Sequence, residues 1–196
     1  ACAPNTERYA NFDPGGPAAA LSPWTFPASL GSRKIATALA AGCSVVLKPA
    51  EETPGILVAI VAHCMEAGIP PGVVDLLFGV PAEVSSRLIA SAHIKKISFT
   101  GSIPVGRHLA SQAAAVLKKI TLELGGHAPV VVMDDVDVER VVDLTMAAKF
   151  RNAGQICVCP TRFYVHGAVH ERFVSALSQR AAALRVGDGR DSATEM

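Results

Sequence analysis

Cys157 and Cys159 stand one residue apart in "FRNAGQICVCPTR", behind a Gly-Gln turn. A thiolate is a strong nucleophile, and a cysteine near a helix end and a possible base suits that work. A metal clip fits poorly, because a CxC pair is not the CxxC spacing of zinc sites and zinc needs four ligands. Nor do cysteines so close in sequence easily form a low-strain disulfide. On the residues alone, Cys157 is open to two readings: a nucleophile or a small core residue.

Other stretches carry chemistry of a different kind. In "LELGGHAP", Glu123 sits among apolar strand neighbours. A carboxylate there is paired, hydrogen-bonded or used as an acid or base, unless it simply faces outward from an edge strand. His127 has no ligand spacing to another of the six histidines and reads as a solvated or core residue. "LKPAEETP" puts Lys48 at a strand end and Glu51 three residues on. Such a carboxylate can accept both ribose hydroxyls of an adenosine, or merely favour a helix start. "FTGSIPVG" places Gly101 and Ser102 before a helix, where backbone N–H groups can meet a phosphate. It is neither GxGxxG nor a Walker A loop, since Arg107 and His108 stand where that loop needs Lys and Ser or Thr.

These residues need a frame, and the pattern supplies one. Short apolar runs at 18–22, 44–48, 73–79, 95–100, 119–124, 129–133 and 162–166 read as strands. Helix-period segments at 27–41, 54–67, 81–90, 103–114, 138–150 and 169–184 fall between them. Strand, helix and strand in alternation predict an α/β fold with a doubly wound, mostly parallel, Rossmann-like sheet, followed by the start of a second α/β domain. Ligands of such sheets bind beyond the carboxyl ends of the strands, where "SPWTFP", "KPAEETP", "TGSIPVG" and "ELGGH" lie.

Composition narrows the classes. The 196 residues are half hydrophobic with a formal charge of +1, so charge alone does not hold nucleic acid. Five scattered cysteines, an odd number, lead us to expect a reducing cytoplasm. The most apolar run, "GILVAIVAHCM", is about half the roughly 20 residues of a membrane span, so none is expected. Residues 1–17 read as a linker or exposed arm, and the polar end "LRVGDGRDSATEM" closes no fold.

Taken together, "SPWTFP", "ALAAGCSVVLKPAEETP", "ISFTGSIPVG", "TLELGGHAPVVV" and "KFRNAGQICVCPTR" resemble the aldehyde dehydrogenase superfamily, in its order and spacing, from about Pro17 onward. The resemblance implies Cys157 as catalytic thiol and Glu123 as general base. It implies Lys48 and Glu51 as adenosine-ribose contacts, and Trp24, Gly101 and Ser102 around the rest of an NAD cofactor. NADP is disfavoured, because a 2′-phosphate would face Glu51. Thr25 stands where the family's "PWNFP" has its asparagine oxyanion donor.

Succinate-semialdehyde dehydrogenases and related ω-carboxy enzymes look most similar. Their carboxylate-holding arginines correspond to Arg33 and Arg151, and some members link the catalytic cysteine reversibly to the position of Cys159, a redox switch. The resemblance further implies a central fragment of a homo-oligomeric enzyme: a partial cofactor domain over 18–124 and the beginning of the catalytic domain over 125–196. A nucleotide-binding or partner-binding remnant without activity, and a thiol-dependent esterase, are the competing readings.

Overall fold

The computed structural model describes Glu7, Tyr9 and residues 11–196. The rest of the expected 1–17 arm, Cys2 included, lies outside the described residues. The chain divides into two compact units, Ala1–Glu123 and Leu124–Met196.

The first unit is a sheet of β1 (Ala18–Leu21), β2 (Val45–Lys48), β3 (Val74–Leu76), β4 (Lys96–Gly101) and β5 (Lys119–Leu124), the last residue of which opens the second unit. Their spatial order is β3-β2-β1-β4-β5. β1 runs parallel to β2 and β4, and β2 runs parallel to β3. Between the strands lie α1 (Pro27–Ala40), α2 (Pro54–Glu66), α3 (Pro81–Ala90) and α4 (Ile103–Ala115). Proline opens α1, α2 and α3 and stands second in α4, where its missing N–H is no loss.

The chain steps outward from β1 to β3, then returns to the other side of β1 for β4. Right-handed crossovers therefore put α1 and α2 on one face and α3 and α4 on the other, and each pair packs together. This is the doubly wound α/β sheet expected from the alternation, with its order reversing between β1 and β4.

A strand covered on both faces must be apolar throughout, and Ala19, Ala20 and Leu21 of β1 are all buried. Ala20, Ile35, Val45, Leu47, Leu57 and Val74 form the core beneath α1 and α2. A Cβ on Gly31 would lie 2.3 Å from Leu57 Cδ2, so glycine sets the close approach of those helices. The strand expected over 73–79 is shorter, because the chain leaves the sheet after Leu76 and turns at Gly79, whose φ is 149°.

The second unit pairs β6 (Ala128–Val132) in parallel with β7 (Pro160–Val165) and covers one face with α5 (Val138–Phe150) and α6 (Gly167–Ala182). Val132, Val138, Val142 and Phe173 fill the space between. Asp137 caps α5 by accepting from Glu139 N at 3.1 Å. Arg180 ties α6 to α5 through Glu139, at 3.0 Å, and Asp143. The last helix starts two residues before the expected Val169, because the His166 ring Nδ1 accepts from Ala168 N at 3.3 Å and caps it.

Candidate functional site

Parallel strands end at one edge, which gathers three of the singled-out stretches. Ser22, Trp24 and Thr25 follow β1, Lys48 to Glu51 follow β2, and Gly101 and Ser102 lie where β4 gives way to α4. Phe26, which precedes Pro27, is held in the left-handed region at φ 44° and ψ 52°. A bulky residue there is strained, and strain of this kind gathers at sites. It lies next to Thr25.

Lys48 is buried, while Glu51 is exposed. The Lys48 Nζ donates to Glu51 Oε2 at 2.7 Å and to the Pro49 carbonyl at 3.0 Å. Burial acts to push the Glu51 carboxyl up. The hydrogen bond from Lys48, the backbone N–H groups of Glu51 and Gly79, and the Lys48 charge outweigh it and hold the group below its ordinary range. The result is a fixed carboxylate beside a buried ammonium, both at a strand end.

At β4, a Cβ on Gly101 would come within 2.4 Å of the Phe99 ring, so only glycine fits. Ser102 begins α4 without a side-chain cap, which leaves first-turn N–H groups open to an anion. A buried ammonium beside a carboxylate, open helix N–H groups and the order reversal between β1 and β4 are the features by which a sheet of this kind could take a nucleotide at this edge.

One residue of this unit escaped the sequence reading. Lys34 of α1 is only 9% exposed, and its Nζ donates to Ser98 Oγ on β4 at 2.8 Å. Burial lowers its pKa to about 8, with Glu123 pulling upward and Arg33 pushing down. The signal was present: Lys34 falls with Gly31 and Ile35 on one buried helix face at i, i+3 and i+4 spacing. Glu123 itself is exposed on the edge strand β5, and Arg33 is exposed on α1.

The second unit holds the cysteines. Before them, Asn152, Ala153 and Gly154 have φ of 51°, 52° and 73°, a left-handed turn after α5. The chain then makes a second turn in which Cys159 N donates to the Ile156 carbonyl at 3.1 Å, placing Cys157 inside it. Cys157 is exposed, whereas Cys159 is buried and both are free thiols. The Lys149 Nζ lies 3.5 Å from Cys159 Sγ, which also contacts the Lys149 and Pro160 carbonyls at 3.6 Å. Arg151, exposed, opens the left-handed turn. His127 bonds to Thr161 at 2.7 Å, which pins the strand that follows the cysteines to the start of β6.

Among the described residues, no group of three or more His, Cys, Asp or Glu could hold a metal ion. Among them, too, no helix is long and apolar enough to cross a membrane.

With this geometry in place, comparison with known proteins is specific. The aldehyde dehydrogenase family pattern matches residues 1–196. A 4-(hydroxymethyl)benzenesulfonate dehydrogenase of Comamonas testosteroni is 55% identical over 193 residues, covering 98% of this chain and 40% of that protein. The succinate-semialdehyde dehydrogenase [NADP(+)] of Escherichia coli is 46% identical over 179 residues, covering 91% and 37%. A crystal structure of succinate-semialdehyde dehydrogenase from Burkholderia pseudomallei superposes with a TM-score of 0.91 at 43% identity, over 94% of this chain and 38% of that one. The chain thus spans about 40% of the length of the relatives it matches. A family pattern met along every residue, on a backbone that follows solved enzymes at this level of identity, admits one assignment: the chain belongs to the aldehyde dehydrogenase family.

Proposed function

We propose that this chain is the part of an NAD(P)-dependent aldehyde dehydrogenase that carries the nucleophile and cradles the adenosine half of the cofactor. The observation that carries the reading is the exposed Cys157 thiol, set in a tight turn behind a strained left-handed segment. A nucleophile must be accessible and rigidly presented, and a structural cysteine needs neither property.

In this reading the Cys157 thiolate attacks the aldehyde carbon. The alkoxide that forms is stabilised by the Cys157 backbone N–H and by Thr25, whose hydroxyl can donate one hydrogen bond. The bound dinucleotide supplies the hydride acceptor. Glu123 removes a proton from the water that hydrolyses the thioester on Cys157, releasing a carboxylic acid. Trp24, Lys48, Glu51, Gly101 and Ser102 hold the cofactor. The negative Glu51 favours NAD over NADP, because a 2′-phosphate would meet a carboxylate that its partners keep ionised.

The substrate is a small aldehyde with an anion at its far end, held by Arg33 and Arg151 through guanidinium forks. Relatives named for 4-(hydroxymethyl)benzenesulfonate and for succinate semialdehyde support the distal anion, a sulfonate in one name and a carboxylate in the other, although the first name is that of an alcohol and only the second that of an aldehyde. Cys159 is the partner for reversible oxidation of Cys157, and the complete enzyme is a homo-oligomer.

The test is reduced-nicotinamide absorbance with succinate semialdehyde or a sulfonated benzaldehyde and either dinucleotide, beside Cys157→Ala. Turnover that survives Cys157→Ala would refute the nucleophile. A second reading, a nucleotide-binding remnant, draws on Thr25 in the oxyanion position and on the 40% span. Dinucleotide binding without thiol-dependent turnover, in this chain and in a longer version carrying Thr25, would select it.

A further inference from the structure

We infer that Lys149 and Cys159 form a modification site: once a peroxide has oxidised the Cys159 sulfur, the Lys149 amine captures it in a reversible sulfur–nitrogen bond. The bond is a second reversible form of Cys159, beside the disulfide to Cys157. Its formation needs nothing of Cys157, whereas its value as a regulator of turnover rests on the proposed role of Cys157 as nucleophile.

The pair is built by the segment between its members. Lys149 lies in the last turn of α5, and the left-handed run of Asn152, Ala153 and Gly154 sends the chain back toward it. A Cβ on Gly154 would lie 3.2 Å from the Lys149 carbonyl and 3.5 Å from Cys159 Sγ, so the returning chain passes close to both. Cys159 ends 4% exposed, with the Nζ of the half-buried Lys149 3.5 Å from its sulfur and the Lys149 and Pro160 carbonyls 3.6 Å away. A thiol that serves as core filling meets apolar neighbours, but this one meets an amine and two carbonyls. The amine is already in contact with the sulfur, and its flexible four-carbon stem lets it close the remaining gap. Cys157, by contrast, is exposed and one residue away, a spacing that closes only a strained disulfide ring.

The chemistry balances with one named oxidant, hydrogen peroxide. The O–O bond breaks and an S–O bond forms, so that sulfur gives up two electrons, peroxide is reduced and water leaves. The resulting sulfenic acid condenses with nitrogen as well as with thiols. The neutral Lys149 amine attacks the sulfur, an S–N bond forms, the S–O bond breaks, and hydroxide departs as water with a proton from nitrogen. A dithiol reverses the link: its first thiol attacks sulfur and frees the amine, and its second releases Cys159 as a thiol. Capture also keeps Cys159 from the sulfinic acid, which thiols do not reduce. The ring that closes from Lys149 to Cys159 contains Cys157, so the segment that presents the nucleophile is tied down while the bond lasts.

The experiment treats Cys157→Ser with hydrogen peroxide, blocks the remaining thiols and maps the tryptic peptides by mass spectrometry. That background removes the competing disulfide and makes the result independent of what Cys157 does. Expected is a joined pair of Lys149 and Cys159 peptides, lighter by about 2 Da than the two together, with cleavage after Lys149 lost and dithiothreitol restoring it. Lys149→Arg in the same background keeps the positive charge without the attacking amine. There the Cys159 thiol recovered by dithiothreitol is expected to fall about fivefold, with sulfinic acid in its place. Cleavage after Lys149 that survives peroxide, with Cys159 found as sulfinic acid or in a disulfide, overturns the inference. A joined pair heavier by one oxygen overturns the direct sulfur–nitrogen bond. In the unsubstituted chain, a disulfide of Cys157 with Cys159 as sole product overturns the regulatory role. The nucleophile reading fails separately, as turnover that survives Cys157→Ala.

Discussion

Lys34 lowers stability where it sits. Its folded pKa, about 8, lies below the ordinary lysine value, so the unfolded chain binds that proton more tightly than the native one. Below pH 8 both states are protonated and the full cost of burying the charge is present, on the order of 3 kcal/mol from the size of the displacement. As pH rises from 8 toward the usual lysine range, the native amine discharges first and the cost fades. Stability should therefore rise with pH across that window. Lys34→Met, which fills the same space without a charge, is expected to stabilise the first unit by about 1–3 kcal/mol at pH 7 and to abolish the rise. Urea denaturation at pH 7 and pH 10 measures both effects. Equal stability of the variant and the parent at pH 7 would mean that Ser98 and Glu123 already compensate the burial in full.

At the scale of elements, the turn of Asn152, Ala153 and Gly154 links helix α5 to the cysteines. Asn tolerates a left-handed backbone and Gly is made for it, but Ala153 at φ 52° costs about 1–2 kcal/mol. Ala153→Gly should relieve part of that strain and raise the denaturation midpoint of the second unit. Gly154→Ala should do the opposite, because a Cβ there meets the Lys149 carbonyl at 3.2 Å and Cys159 Sγ at 3.5 Å with φ at 73°. Alkylation of Cys157 reads the consequence for the thiol. If the turn presents it, Gly154→Ala changes the rate, and an unchanged rate would detach the turn from the nucleophile. The sequence could not announce this segment: "RNAG" offers one Asn and one Gly, compatible with many turns, and three successive positive φ angles are imposed by what packs around them. The helices were legible for the converse reason. Pro27, Pro54 and Pro81 fix their own helix starts locally, and Asp137 caps α5 from its own segment.

For the molecule as a whole, the strand-end rule made the candidate site half legible. Lys48, Glu51, Gly101 and Ser102 could be placed at one edge in advance because parallel strands expose their carboxyl ends together, while the roles expected of them came from the family resemblance. The burial of Lys34 could be read from its helix face, but its hydrogen-bond partner Ser98 lies 64 residues away, and no local pattern joins the two. The second unit raises a different issue. Parallel strands are normally covered on both faces, and a two-stranded sheet is marginal by itself. Here α5 and α6 cover one face of β6 and β7. On the other, Val131 and Tyr164 stand opposite each other in register, 66% and 56% exposed. An apolar pair on an uncovered sheet face seeks cover, so the 196-residue chain should self-associate, with an apparent mass that grows with concentration in light scattering and with bound hydrophobic dye. Val131→Lys with Tyr164→Glu should reduce both while leaving the first unit's denaturation unchanged, since neither residue belongs to it. A monodisperse monomer at every concentration would show that this face needs no partner.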